Sequence, residues 1–272
     1  MKRRATLNQL SIEDISKYVE QNIKKFHDSR LLSLEKVDLK KLLTRKNPYL
    51  FKVKNLNVAG ELVKGILEAH VSSSEETIFG DWLEGLAIYI NKCVYGGKKS
   101  SAPGIDLEFE NEGVRYLVNI KSGPNWGNSS QIKRMKQDFD AARKTLGTSK
   151  SKIHVVAVNG CCYGKCSDEL KSGNYYKYCG QKFWEFISGD KSLYLDIIEP
   201  LGTKAKDRNS EFMDRYSSLL NQLTLQFSKE FCTDKGKIDW PMIVKLNSSY
   251  EKATKDRTKA VPMVAGKRTK AN

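Results

Sequence analysis

Apolar residues recur at helical spacing near the start of the chain: Leu10, Ile12, Ile15, Val19 and Ile23, then Leu31, Leu32, Leu34, Val37, Leu39, Leu42 and Leu43. Residues 8–46 therefore read as two helices, closed by Asn47-Pro48 because a residue preceding proline avoids the helical region. A further helix is expected over 57–70, with Ala59, Leu62, Val63, Ile66 and Leu67 on its apolar side. Ser72-Ser-Ser-Glu-Glu-Thr77 then reads as a fresh helix start, a serine cap followed by first-turn carboxylates. The helix it opens runs to about Cys93. Ile78, Phe79, Trp82, Leu83, Leu86, Tyr89 and Ile90 cover enough of its circumference to bury it. Glu84 interrupts that apolar stretch and is either paired in the core or aimed at a site.

The period then changes. After the flexible, basic stretch Gly96–Ser101, residues 104–121 alternate as a short β-hairpin. Pairing residue 110 with 115 around a four-residue loop containing Gly113 sets Asp106 opposite Asn119. Asp106 and Glu108 share one face of the first strand, Asn119 and Lys121 one face of the second. Ser122–Ser130 forms a loop, Ser129 or Ser130 caps a helix over Gln131–Leu146, and 152–159 is nearly all apolar, as a central strand should be. The Gly/Cys/Tyr/Lys-rich stretch 160–180 reads as a long loop. Short helices are expected over 182–187 and 193–201, a long amphipathic one over 209–231, and a disordered tail over 251–272. Helix, strand, strand, helix, strand is the order of a mixed α/β layer. The expected division is a helical region 1–70, a core 71–200, a helical region 201–250 and the tail.

Composition narrows the partners. The 272 residues carry a formal charge of +15, of which the tail supplies +5, so +10 remains on residues 1–250. Such a field favours a polyanion and makes its binding salt-dependent. No run of apolar residues is long enough to span a membrane, and Met-Lys-Arg-Arg is not followed by the apolar segment of a secretory signal. A cytoplasmic chain with reduced thiols is the expectation. Cys161, Cys162, Cys166 and Cys179 raise the question of zinc, but beyond the one pair stands a single cysteine and no nearby histidine, so zinc is set aside.

The hairpin carries the candidate chemistry. Phosphodiester hydrolysis needs a metal to polarise phosphate oxygens, an activated water, and neutralisation of developing charge. Asp106 suits Mg²⁺, which takes carboxylate oxygens and waters; the carbonyl of Ile120 is a second protein ligand, and Glu84 and Glu108 are further candidates. Lys121 can orient the attacking water and neutralise charge. An ordinary surface hairpin with alternating charges would look similar. Context weighs against it: Gly-Ile-Asp106 before an acidic strand, Lys121 closing the next, an Asn/Trp-rich loop, a helix and a buried strand.

In that context the chain resembles the PD-(D/E)XK nucleases and, among them, type II restriction endonucleases. Asp106 matches the first motif position and Lys121 the last; the middle one is Asn119 rather than an acid, and Ile105 replaces proline. Phe79-Gly-Asp-Trp-Leu-Glu-Gly-Leu86, Lys121–Gln131, Asn159-Gly-Cys-Cys-Tyr-Gly164 and Cys179–Gly189 are similar to the PmeII-like group. The resemblance implies an α/β fold with a mixed central sheet flanked by helices, extra helical elements at both ends, and Mg²⁺ (Mn²⁺ substituting) as cofactor. It also implies cleavage of a short palindrome in double-stranded DNA, a homodimer, and a cognate DNA methyltransferase as system partner. Glu84 corresponds to a helix carboxylate that some members place near the site.

Asn125, Asn128, Ser129, Ser130 and Gln131 lie just past the catalytic strand, where they can reach base edges or simply build a turn; Trp126 can stack or wedge. Lys133, Arg134, Lys136, Lys98 and Lys99 are expected at phosphates, with Lys204, Lys206 and Arg208 either there or on a solvated face. The helices over 8–46 and 209–231 serve either a dimer interface or intrachain packing. Two other readings compete: a structure-selective nuclease of the resolvase type, and a DNA-binding protein on a catalytically inactive nuclease fold.

Overall fold

Ser11 opens the first helix with a reciprocal cap: its hydroxyl accepts from Asp14 N, and the Asp14 carboxylate accepts from Ser11 N. The computed structural model describes residues 10–148, 154–167, 170–171, 175–202 and 205–250. Helix α1 (Ile12–Glu35) buries Ile15, Val19 and Leu34; α2 (Leu39–Thr44) is capped by Asp38. Asn47 caps α3 (Pro48–Val53), with proline in the first turn, where its missing N–H costs nothing. Asn47-Pro48 thus starts a helix as well as stopping one.

The largest departure from expectation is α4 (Ala59–Tyr95), one helix of 37 residues where two were read. Ser73 Oγ donates to Ala69 O and Thr77 Oγ1 to Ser73 O, so the supposed cap residues satisfy their hydroxyls inside the helix. Neither proline nor glycine breaks the segment between them. Gly96, at φ 71°, ends the helix in the left-handed conformation. The boundary expected at residue 70 falls inside α4.

Strands β1 (Lys98–Lys99), β2 (Leu107–Asn111), β3 (Val114–Lys121), β4 (His154–Cys161), β5 (Leu170–Lys171) and β6 (Tyr175–Cys179) form one mixed sheet ordered β1-β2-β3-β4-β6-β5. Glu110 pairs with Arg115, as expected. Pairing continues to Asn111 and Val114, so the loop is two residues, Glu112 and Gly113, both at positive φ. Helix α5 (Ser129–Thr148) carries the chain from β3 to its parallel neighbour β4. Its cap is Asn128 rather than a serine: Gln131 N donates to Asn128 Oδ1 and Asn128 N to Gln131 Oε1.

Within the stretch read as a loop, Tyr175-Tyr-Lys-Tyr-Cys179 pairs in parallel with β4 as β6, because alternating aromatic residues outweigh the surrounding glycines and lysines. Cys166 and Cys179 are disulfide-bonded, their Cα atoms 5.7 Å apart, which corrects the expectation of reduced thiols for this pair. After α6 (Gln181–Ser188), the single helix read over 193–201 is two, α7 (Leu193–Asp196) and α8 (Ile198–Gly202), since Pro200 has no N–H with which to continue the ladder. Helix α9 (Ala205–Phe231) begins earlier than read, and α10 (Trp240–Ser248) was not anticipated.

Three apolar clusters result. One sheet face (Leu107, Phe109, Val118, Ile120, Val158) packs on α1, the second half of α4 and α6; the other (Leu117, Ala157, Tyr175) packs on Met135, Phe139 and Ala142 of α5. The third is all-helical, joining α2 and the first half of α4 to Phe212, Leu223, Phe227 and Phe231 of α9 and Ile243 of α10. The apolar stripe of α9 and most of that of α1 therefore pack within the chain, while Ile12 and Leu32 of α1 stay exposed. No described helix is long and apolar enough to cross a membrane.

Candidate active site

The hairpin sets the Asp106 carboxylate against Asn119 and Ile120, with Lys121 next along β3. Asp106 N donates to Val118 O just beyond the last registered pair, Leu107 with Val118, and the Asp106 side chain reaches Asn119 and Ile120 on β3. Its Oδ2 accepts from Ile120 N at 2.6 Å and from Asn119 Nδ2 at 3.2 Å. Backbone groups alternate sides along a strand, so Val118 and Ile120 both face β2. The strand β2 begins only at Leu107, leaving the Ile120 carbonyl directed past its end, beside Asp106. Lys121 follows and lies half-buried, with Nζ 5.4 Å from the centre of the Trp126 ring.

Burial pushes the Asp106 carboxyl up to about 6, assisted by the Glu84 charge and opposed by the Ile120 hydrogen bond, Lys121 and Lys99. Glu84 thus lies within electrostatic reach of Asp106. Its carboxylate is bonded to Lys99 Nζ at 3.3 Å, so Lys99, read as a phosphate contact, is also a counter-ion. Glu108 is drawn elsewhere: it accepts from Ser100 Oγ and lines a separate hollow with Arg115 and Asp138. The structure brings Asp106, Asn119, Ile120, Lys121 and Glu84 together and leaves Glu108 aside.

Asn119 is 5 % exposed and has no free end. Its Nδ2 donates to Gly104 O (2.9 Å) as well as to Asp106, and its Oδ1 accepts from Asn159 Nδ2 at 3.3 Å. Turning the amide would set its oxygen against two other oxygens. Its orientation makes it a donor to Asp106, not a second oxygen ligand beside it. Among the described residues no group of three or more His, Cys, Asp or Glu side chains could hold a metal ion. The donor set is oxygen only: one carboxylate, one carbonyl and, nearby, Glu84. That suits Mg²⁺, which keeps several waters and needs few protein ligands.

In the loop after Lys121, Asn125, Asn128, Ser129, Ser130 and Gln131 are exposed, as are Lys133 and Arg134 at the start of α5, while Lys136 is half-buried. Asn128 and Gln131 spend their side chains capping α5. Trp126 is half-buried and donates from Nε1 to Asn159 Oδ1 at 3.0 Å. Lys177 Nζ fastens the loop through Pro124 O at 2.7 Å. Beyond it a cleft of about 740 Å³ opens between α1, α4, Ser122 and Tyr163. Lys98 is exposed on β1 and Arg208 half-buried on α9; Lys204 and the tail lie outside the described residues. Sequence reasoning did not select Asn159 or Lys177. The signal for Asn159 was its polarity at the end of an otherwise apolar strand.

A carboxylate and an ammonium on adjoining strands of a mixed α/β sheet, beside a polar loop in a basic chain, define a candidate nucleic-acid hydrolase. The model of the family described as Type II restriction endonuclease EcoO109I matches residues 13–209. That is well over half of the chain, and the protein belongs to this family of site-specific endodeoxyribonucleases acting on double-stranded DNA. Comparison with curated proteins gives no match.

Proposed function

We propose that the chain is a Mg²⁺-dependent endonuclease of the PD-(D/E)XK superfamily, of its PmeII-like group, cutting a short palindrome as a homodimer beside a cognate methyltransferase. The observation that carries the site assignment is the desolvated carboxylate of Asp106, held by Ile120 N and Asn119 Nδ2 of β3, with Lys121 at the end of that strand. Asp106 and the Ile120 carbonyl would hold the metal, with Glu84 as the nearest further carboxylate and Mn²⁺ able to substitute. A metal held by these residues would supply polarisation of the scissile phosphate. Lys121 orients the attacking water and offsets developing negative charge, and Trp126 confines its ammonium by covering it from one side. Asn119 holds Asp106 by donating to it. The exposed groups of the loop, Asn125 foremost, read base edges, while Lys133 and Arg134 meet phosphates.

One observation favours a second reading, a DNA-binding protein that does not cut: the Asn119 amide occupies the place of an acidic ligand. Plasmid digestion in Mg²⁺ and Mn²⁺ decides, with ends sequenced to map the site. Discrete fragments from the native protein and none from Asp106→Ala or Lys121→Ala, both still binding DNA in Ca²⁺, are the expected outcome. Tight binding in Ca²⁺ without cleavage by the native protein would establish the second reading, and wild-type cleavage by either variant would remove the site.

A further inference from the structure

Asn159 is 1 % exposed, an amide in the middle of the sheet at the end of a strand of Val and Ala. In the parallel register of β3 and β4 it stands beside Asn119. Its Nδ2 donates to both Asn119 O and Asn119 Oδ1 at 3.3 Å, and its Oδ1 accepts the Trp126 indole at 3.0 Å. An indole N–H can only donate. Asn159 must therefore present its oxygen to Trp126 and its nitrogen to Asn119. Asn119 must in turn present its oxygen to Asn159 and its nitrogen to Asp106. One indole proton sets the direction of every bond in a chain of donors that ends on the Asp106 carboxylate, and bonds aligned in this way polarise one another. The face of the same ring lies over Lys121.

We propose that Trp126 and Asn159 are positioning residues for cleavage: the chain Trp126–Asn159–Asn119–Asp106 ties the DNA-reading loop to the carboxylate, and the indole face ties the same loop to Lys121. The proposal rests on the reading of Asp106 and Lys121 given above. Trp126 belongs to the segment that DNA would press against, and it is the one residue there bonded into both halves of the site. Loop placement and site alignment are thereby one event, so a loop poorly seated on the wrong sequence leaves Asp106 and Lys121 misaligned.

Trp126→Phe is the decisive variant, because it keeps an aromatic ring at this position while removing the indole N–H, together with part of a half-buried ring system. Single-turnover cleavage is followed in Mg²⁺ on an oligonucleotide duplex spanning the mapped site, and affinity for that duplex is measured in Ca²⁺. Losses on mutating groups that orient metal ligands run from about 10- to 100-fold, so Trp126→Phe should slow cleavage of bound DNA by at least about 10-fold with affinity changed by less than about two-fold. Asn159→Ala should be slowed at least as much. The double variant should be no slower than Asn159→Ala alone, since both deletions open the same chain. A wild-type rate for Trp126→Phe on bound DNA overturns the proposal, as does weakened binding with an unchanged rate, which would make Trp126 a DNA contact only. Additive losses in the double variant also overturn it. Should Asn159→Ala fail to fold, Trp126→Phe still decides. Asp106→Ala runs alongside: cleavage by that variant refutes the site reading itself, whereas its silence together with a full rate for Trp126→Phe refutes the positioning role alone.

Discussion

The hydrogen-bond polarity around Asn119 decides what substitution there does. Asn119→Asp would place a second carboxylate 3.2 Å from Asp106 Oδ2 and against Gly104 O, in a nearly sealed position. Two carboxylates sharing a buried site repel, and the lost donor leaves an acceptor unpaired, a cost on the order of 2–3 kcal/mol. The expected result is a lower Tm in EDTA, with Mg²⁺ or Ca²⁺ recovering more of it than in the native protein; equal metal-induced shifts would contradict this. Asp106 itself carries a pH signature. Its native pKa of about 6 lies above the ordinary 3.8, so between those values the folded chain binds the proton more tightly than the unfolded one. Stability contributed by this group therefore falls as pH rises from about 4 to about 6, by about 2 kcal/mol once partial exposure is allowed for. Metal-free Asp106→Asn should accordingly melt higher than the native protein at pH 8 and no higher at pH 4, as calorimetry can check. Asp106, Lys121 and the pairing of Glu110 with Arg115 were legible in the sequence because strand alternation fixes faces and a short turn fixes pairing. The role of Asn119 was not. Its partner Asn159 lies 40 positions away, and only the parallel β3–β4 register brings the two together.

Period and turn chemistry also explain which elements were legible. Helices with clear stripes and the hairpin came through; boundaries and short strands did not. Ser72–Thr77 carries every mark of a helix start, yet α4 runs straight through it, because apolar faces before and after it are each claimed by a separate cluster and one rigid rod serves both. Tertiary burial overrode a local signal worth about 1 kcal/mol. Ser73 is exposed and makes a direct test. Proline is tolerated in a helix's first turn but costs about 3 kcal/mol in the interior, so Ser73→Pro should destabilise strongly while Ser73→Ala is neutral or slightly stabilising. A native-like melting curve for Ser73→Pro would restore a helix start at this point. At the other end of the site, Asn128→Ala should cost about 1 kcal/mol through the lost α5 cap, whatever it does to DNA reading. Asn125→Ala, with no such duty, should alter site preference and leave Tm unchanged.

At the scale of the whole molecule, the long α4 helix ties a helical cluster to the sheet that carries the site, and the matched family segment runs from α1 to the start of α9. The charge is not distributed in the same way. Residues 251–272 carry seven basic and two acidic side chains, whereas the groups proposed to read and cut lie between positions 84 and 134. Each neutralised phosphate contributes about −0.9 to the slope of log affinity against log salt concentration on duplex DNA, independently of sequence. Removing 251–272 should therefore flatten that slope by a few units and weaken binding most at low salt. It should leave the cut position and the preference among sequences unchanged, since base contacts rather than phosphate contacts carry discrimination. The measurement is affinity for cognate and scrambled duplexes in Ca²⁺ across a salt series, for the full chain and the truncated one. Equal losses on both duplexes identify the tail as an electrostatic tether. A loss confined to the cognate duplex would make it part of the reading surface, and the loop beside Lys121 would no longer account for specificity alone.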